Sequence, residues 1–99
     1  MKSIKVVVKE PGKAAQTVLL ENTLKAFQNV VRGYIEAVTV DDIVILCNEE
    51  GLIRHMPFNC ALAHRMFFGP IAIVGVDGCE FADAPDKWIY ENWREELAS

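Results

Sequence analysis

Alternating apolar and polar residues mark the beginning of the chain. Ile4, Val6 and Val8 alternate with Lys5 and Lys9, the two-residue period of a strand with one buried face, although Val7 breaks the polarity of the outer row. A Pro-Gly pair then interrupts the pattern, and a second apolar run follows it. Residues 2–20 are therefore predicted to form a β-hairpin.

A helical period comes next. Its apolar face is predicted to contain Leu24, Phe27, Val30 and Val31. Asn22 or Thr23 can cap the start of this helix, and Gly33 stands where a helix end favours a left-handed residue.

The middle of the chain predicts three further strands. Residues 34–40 read as one strand, 43–47 as a central strand buried on both faces, and 52–54 as a short strand after a polar turn at 48–51.

The last third predicts two helices around one more strand. Pro57 suits the first turn of a short helix through residues 61–63. Residues 71–74 form a buried strand after a Gly-Pro break. Asp83 is predicted to cap a final helix, whose inner stripe is Ile89, Trp93 and Leu97.

This order of elements predicts an α+β fold. We expect a single mixed β-sheet packed by one main helix in β-grasp (ubiquitin-like) order, with the closing strand beside the first, plus a C-terminal helix. A chain of this length forms one domain, 1–99, with a core over 1–78 and a helical extension over 79–99.

Composition narrows the class of protein. No apolar run approaches the roughly 18 residues that cross a bilayer, and no secretory signal is visible, so we expect a cytoplasmic protein without membrane contact. An odd number of cysteines argues against a disulfide framework. No glycine-rich phosphate loop is present, and we predict no cofactor.

Charge disfavours nucleic acid as a partner. The net charge is +4 over residues 1–32 and −8 over residues 33–99. The acidic part would repel a phosphate backbone unless it pointed away. The alternative, binding through Lys2, Lys5, Lys9 and Lys13, is therefore the weaker interpretation.

Cysteine and histidine residues supply the sharpest chemical alternative. Cys60 and His64 are four positions apart and would share a face of the predicted helix, with Cys47 and His55 nearby. A zinc site or a small cysteine/histidine enzyme could use them. However, the spacing has no Cys-x2-Cys pair, and buried packing explains the cysteines more simply.

Aromatic residues crowd the final helix. Trp88 and Tyr90 lie off the stripe that contains Trp93, so this helix has apolar surface on more than one side. Tryptophans of this kind either complete a small core or contact a partner protein.

Several turn-like motifs resemble one family of small proteins, the domain of unknown function numbered 3846. They are Glu10-Pro11-Gly12-Lys13, Gly33-Tyr34-Ile35-Glu36, Cys47-Asn48-Glu49-Glu50-Gly51, Pro57-x-Asn59-x-Ala61 and Gly69-x-Ile71-x-Ile73-Val74-Gly75. The resemblance implies an accessory protein encoded by phages, plasmids or conjugative elements of Gram-positive bacteria. It points to a polar cluster of Asn48, Glu49, Glu50 and Asn59, which would form one surface in the β-grasp order.

We therefore predict a small non-enzymatic module that engages a protein partner or itself. Its candidate contacts are Asn48, Glu49, Glu50, Asn59, Trp88 and Trp93. The alternative is the cysteine/histidine enzyme or zinc protein centred on Cys60, His64 and His55.

Overall fold

The computed structural model of the protein describes residues 2–98. In chain order its elements are β1 (Ser3–Lys9), β2 (Gln16–Glu21), α1 (Leu24–Val31), β3 (Ile35–Val40), β4 (Ile43–Asn48), β5 (Phe58–Leu62), β6 (Arg65–Phe68), β7 (Ile71–Asp77), β8 (Glu80–Ala82), α2 (Asp86–Asn92) and α3 (Arg94–Ala98). The α+β class is confirmed.

The strands form two sheets. The main sheet has the order β2-β1-β7-β4-β3, with β8 paired to one end of β7, and β5 and β6 form a separate hairpin. Every strand pair within residues 2–98 is antiparallel. The expectation of a single mixed sheet was wrong, because the hairpin between β4 and β7 returns the chain so that β7 runs opposite to β1. The closing strand does lie beside the first, but the β-grasp order is not confirmed.

Two cores lie on the two faces of the main sheet, because β4 and β7 are apolar on both sides. One face contributes Ile4, Val6, Val44, Leu46, Ala72 and Val74 to a cluster with Phe27 of α1. The opposite face contributes Ile43, Ile45, Ile71 and Ile73, which pack with the β5–β6 hairpin, α2 and α3. The fold thus has helices on both faces rather than one main helix.

Residues 52–63 differ most from expectation. The predicted strand at 52–54 is a turn, and the predicted helix after Pro57 is strand β5. Ala63 and His64 join β5 to β6 with φ values of 51° and 63°. Two consecutive left-handed residues suit a tight hairpin turn, which asparagine and glycine usually form. Without those residue types, the sequence did not signal the reversal.

Helix ends were predicted with mixed success. Thr23 caps α1, accepting a hydrogen bond from the Ala26 N–H at 3.2 Å. Arg32, not Gly33, takes the left-handed position at the other end. Leu24 is 66% exposed and lies off the buried face.

The final helix is divided into α2 and α3. Its predicted cap, Asp83, instead accepts a hydrogen bond from the Lys5 N–H at 2.7 Å, and α2 begins after Pro85. Asp83 therefore ties the chain to the edge of β1 rather than starting a helix. No helix within residues 2–98 combines the length and apolar character that a membrane span requires.

Candidate functional site

Asn48 is buried at the end of β4 and binds three backbone groups. Its side-chain amide donates to the carbonyl oxygens of Val31, the last residue of α1, at 3.0 Å and of Arg32, its C-cap, at 3.2 Å. Its Oδ1 accepts from the Glu50 N–H at 2.8 Å, which forms the following turn. One side chain thus satisfies a helix end and a turn at once, which is a structural role.

Asn59 is buried on the inner side of β5 and also bridges backbone segments. Its amide donates to the carbonyl oxygens of Lys9 and Gly69, both at 2.8 Å. These bonds attach the β5–β6 hairpin to the end of β1 and to the link that enters β7. Asn59 Oδ1 is buried and has no hydrogen-bond partner within the described residues.

Glu49 and Glu50 are exposed on the turn that follows Asn48. Gly51, which ends this turn, lies against the hairpin so closely that a Cβ atom there would be 2.5 Å from the Phe68 carbonyl oxygen. The structure therefore brings the turn against the β5–β6 hairpin, not against the helix that was predicted after Pro57. Only the two glutamates of the predicted polar cluster reach solvent, because Asn48 and Asn59 are each 5% exposed.

The cysteine and histidine residues do not form a common site. Cys47 and Cys60 are buried, whereas His55 and His64 are exposed on turns. Cys60 and His64 do not share a helix face, because this segment is a hairpin. Within residues 2–98, no group of three or more His, Cys, Asp or Glu side chains is placed to hold a metal ion.

Burial also alters the acidity of both inner thiols. It raises the pKa of Cys60 to about 11, and it raises the pKa of Cys47, which also lies near the Glu36 carboxylate. A thiol must ionise to act as a nucleophile. Both groups are therefore neutral near physiological pH and behave as packing residues.

We expect Cys79 to react with iodoacetamide at pH 8 far faster than Cys60. Cys79 is exposed, whereas Cys60 is buried and its raised pKa lowers the thiolate fraction by about 100-fold. Mass spectrometry of timed samples of the folded protein measures the two rates. A denatured sample, in which all three thiols should react, is the control; comparable rates in the folded protein would contradict the assignment.

Trp88 and Trp93 form an edge-to-face pair with ring centroids 5.4 Å apart. Trp93 packs against the core cluster under α2 and α3, and Trp88 is 42% exposed. An open cleft of about 670 Å³ beside Trp88 is lined by Asp41, Asp42, Ile43 and Pro85. The pair therefore divides its roles, with Trp93 in the core and Trp88 at the surface.

The β5–β6 hairpin presents an apolar surface that the sequence did not indicate. Its inner face buries Cys60, Leu62 and Phe67. Its outer side and the preceding turn expose a group that we call the hairpin patch, consisting of Leu52, Phe58, Met66 and Phe68. The exposed fractions are 67% for Leu52, 52% for Phe58 and 63% for Met66, and Phe68 is half-buried.

The members of the hairpin patch are contiguous. Phe58 and Phe68 are paired across the hairpin, with ring centroids 5.7 Å apart. Leu52, Met66 and Phe68 line a cleft of about 280 Å³. In the sequence, alternation of apolar and polar residues along β6 would have indicated its outer face. It is not visible, because residues 66–68 are all apolar.

One charged pair borders this cleft. Arg65 donates to a carboxylate oxygen of Glu36 at 2.6 Å, and the Arg65 guanidinium lies over the Phe67 ring at 5.7 Å from its centroid. Both charged side chains are about two-fifths exposed. The cleft thus has apolar residues along one wall, and its rim carries this neutralised pair together with the exposed Glu49 carboxylate.

The chain belongs to the family described as a domain of unknown function (DUF3846), because the family model matches residues 4–97. No curated protein and no solved structure matches it.

Proposed function

We propose that this member of the DUF3846 family is a small non-enzymatic module that binds another protein through the hairpin patch. The observation that carries the proposal is the contiguous exposure of Leu52, Phe58, Met66 and Phe68 on one side of the hairpin. Isolated apolar residues are ordinary on a protein surface, whereas a contiguous apolar patch with a polar border marks an interaction site.

The residue types in the patch suit protein recognition. Phenylalanine and methionine are enriched in the cores of protein interfaces. Met66 can adapt its unbranched side chain to a partner's surface, and the phenylalanine pair provides a rigid wall. The inner face of the same hairpin is fixed to the core by Phe67 and Asn59, so the patch rests on a well-anchored support.

The proposed partner offers an uncharged apolar side chain to the cleft between Leu52 and Met66. Glu36 and Arg65 already neutralise each other at the rim, so this pair offers little to a charged partner group. Glu49 and Glu50 border the same region and would contact the outer part of the partner. Trp88 offers a second contact at the cleft beside α2.

The setting of this function follows from the family resemblance. We infer an accessory role in a phage, plasmid or conjugative element of Gram-positive bacteria, exercised in the cytoplasm. The high pKa of Cys60 supports a binding role over thiol chemistry.

We expect Met66→Lys to weaken partner binding by about 10-fold or more, because the substitution places a charge in the apolar contact. The partner is first captured with the wild-type protein from the native host, and its affinity for each purified variant is then measured by calorimetry. Leu19→Lys is the matched control, since Leu19 is 74% exposed on β2, away from the patch.

Folding must be unchanged for this comparison, and circular dichroism with urea denaturation checks it. If Met66→Lys and Leu19→Lys bind the purified partner as tightly as the wild type, the patch is not the binding surface. A loss in Trp88→Ala with no loss in Met66→Lys would move the contact to the cleft beside α2.

A further inference from the structure

Strand β3 forms an edge of the main sheet. Its inner side pairs with β4 along its whole length, from Ile35 opposite Asn48 to Val40 opposite Ile43. No strand within residues 2–98 pairs with its outer side. The edge therefore presents backbone hydrogen-bonding groups to the surroundings.

The register with β4 identifies those groups. Hydrogen-bonded positions alternate along an antiparallel pair. The Glu49 N–H donates to the Tyr34 carbonyl oxygen at 2.9 Å, so even-numbered residues face β4. The backbone groups of Ile35, Ala37 and Thr39 consequently point outward.

The residues of β3 do little to prevent pairing with another strand. Natural edges are commonly blocked by proline, lysine or a bulge. Residues 35–40 contain no proline and no lysine, and their pairing with β4 is regular. Their only charged side chain, Glu36, is already paired with Arg65.

The ends of β3 carry opposite charges. At the start, the Arg54 guanidinium lies beside Gly33, where it donates to the Arg32 carbonyl oxygen at 3.4 Å. At the end, Asp41 and Asp42 are exposed on the turn into β4. Within residues 2–98, neither these aspartates nor Arg54 takes part in an ion pair.

From these features we infer that β3 pairs antiparallel with β3 of a second copy of this chain, with Ala37 on the two-fold axis. The outward groups then form three hydrogen-bonded pairs, with Ala37 opposite Ala37 and Ile35 opposite Thr39 in both directions. Odd-numbered residues of one copy oppose odd-numbered residues of the other. The side chains on each face of one β3 therefore continue onto the same face of the other, and the two main sheets form one continuous sheet.

The same register explains why a second copy is the partner. Beyond the paired residues 35–39, it brings the turn with Asp41 of one copy towards the Gly33 end of β3 in the other, where the Arg54 guanidinium lies, and it does so twice by symmetry. No two like charges of β3 oppose each other, since Glu36 faces Val38. An unrelated strand would need its own acidic and basic ends to match this arrangement.

We expect sedimentation equilibrium to show a dimer that Ala37→Pro weakens by about 10-fold or more. Proline removes an N–H that points away from β4, so the fold of the subunit is retained. Leu19→Pro is the matched control: the Asn22 N–H donates to the Lys2 carbonyl oxygen, so Leu19 has its N–H on the outer edge of β2. Leu19→Pro should leave dimerisation unchanged.

A disulfide tests the register without depending on the proline variant. In a Cys79→Ser background, Ala37→Cys should form an intermolecular disulfide on mild oxidation, because opposed hydrogen-bonded residues have Cα atoms about 5.5 Å apart. Thr39→Cys should not, since the two copies of residue 39 would be about 14 Å apart along the strand.

Three results would overturn the inference. They are a monomer at high protein concentration, a dimer that Ala37→Pro leaves intact, and equal cross-linking of Ala37→Cys and Thr39→Cys. A dimer lost in Met66→Lys but kept in Ala37→Pro would place self-association on the hairpin patch instead. Dimerisation through β3 and partner binding through the patch can thus fail independently.

Discussion

Replacing Asn48 by aspartate is expected to destabilise the protein by about 3 kcal/mol at neutral pH. The change retains an oxygen for the Glu50 N–H but removes both hydrogen bonds to the end of α1. It also places a carboxylate against the carbonyl oxygens of Val31 and Arg32 in a buried position. Urea denaturation followed by circular dichroism measures the free energy of unfolding.

The pH dependence separates this effect from simple loss of a contact. The introduced carboxylate is disfavoured in its charged form, so its pKa in the folded state should exceed its unfolded value of about 3.9. Stability is then greatest below the unfolded pKa and is lost as pH rises through the folded pKa. Asn48→Ala should be destabilised without this dependence, and Glu49→Gln, on the adjacent exposed residue, should change stability little. An Asn48→Asp protein as stable as the wild type at pH 7 would contradict the structural role of Asn48.

The parts of the fold that the sequence predicted correctly depend on local patterns. Alternation at residues 4–8 produced β1, a capping threonine produced the start of α1, and an apolar run produced β4. In each case the residues that define the element are neighbours in the chain. The faces of β1 were not predicted, however, because Val7 and Lys9, on the side expected to face solvent, are fully buried.

Residues 52–63 were mispredicted because their structure depends on distant contacts. Strand β5 is held by the bonds of Asn59 to Lys9, which is 50 positions away, and to Gly69. The hairpin turn at Ala63 and His64 lacks the glycine or asparagine that would have indicated it. A helix start at Pro57 was locally reasonable, and tertiary packing overrode it.

The candidate site also combines features that the local sequence indicates with features that depend on distant contacts. Asn48 and Asn59 were notable in the sequence as members of the polar cluster that the family resemblance indicates. Asn48 has one local partner, the Glu50 N–H, but its other partners lie 16 and 17 positions away, and those of Asn59 lie 10 and 50 positions away. Only the structure shows these distant bonds. The hairpin patch was hidden for a related reason, because Met66 and Phe67 look equally apolar until β6 assigns them to opposite faces.

Phe67→Ala is expected to destabilise the protein by about 4 kcal/mol, whereas Met66→Ala should change stability by less than about 1 kcal/mol. Phe67 is 2% exposed in the core under the hairpin, and truncation leaves a cavity among Cys60 and Leu62. It also removes the ring beneath the Arg65 guanidinium. Met66, the adjacent residue, is 63% exposed and leaves solvent in place of its side chain.

Urea denaturation of the two variants, side by side with the wild type, measures this difference. Because the residues are neighbours in β6, any general sensitivity of the hairpin to alanine affects both alike. The ratio of the two effects therefore reports which face of β6 is inward. A larger loss in Met66→Ala would mean that the hairpin packs in the reverse sense, and equal destabilisation would mean that Met66 is buried as well as Phe67. In either case the hairpin patch would belong to the core rather than to a binding surface.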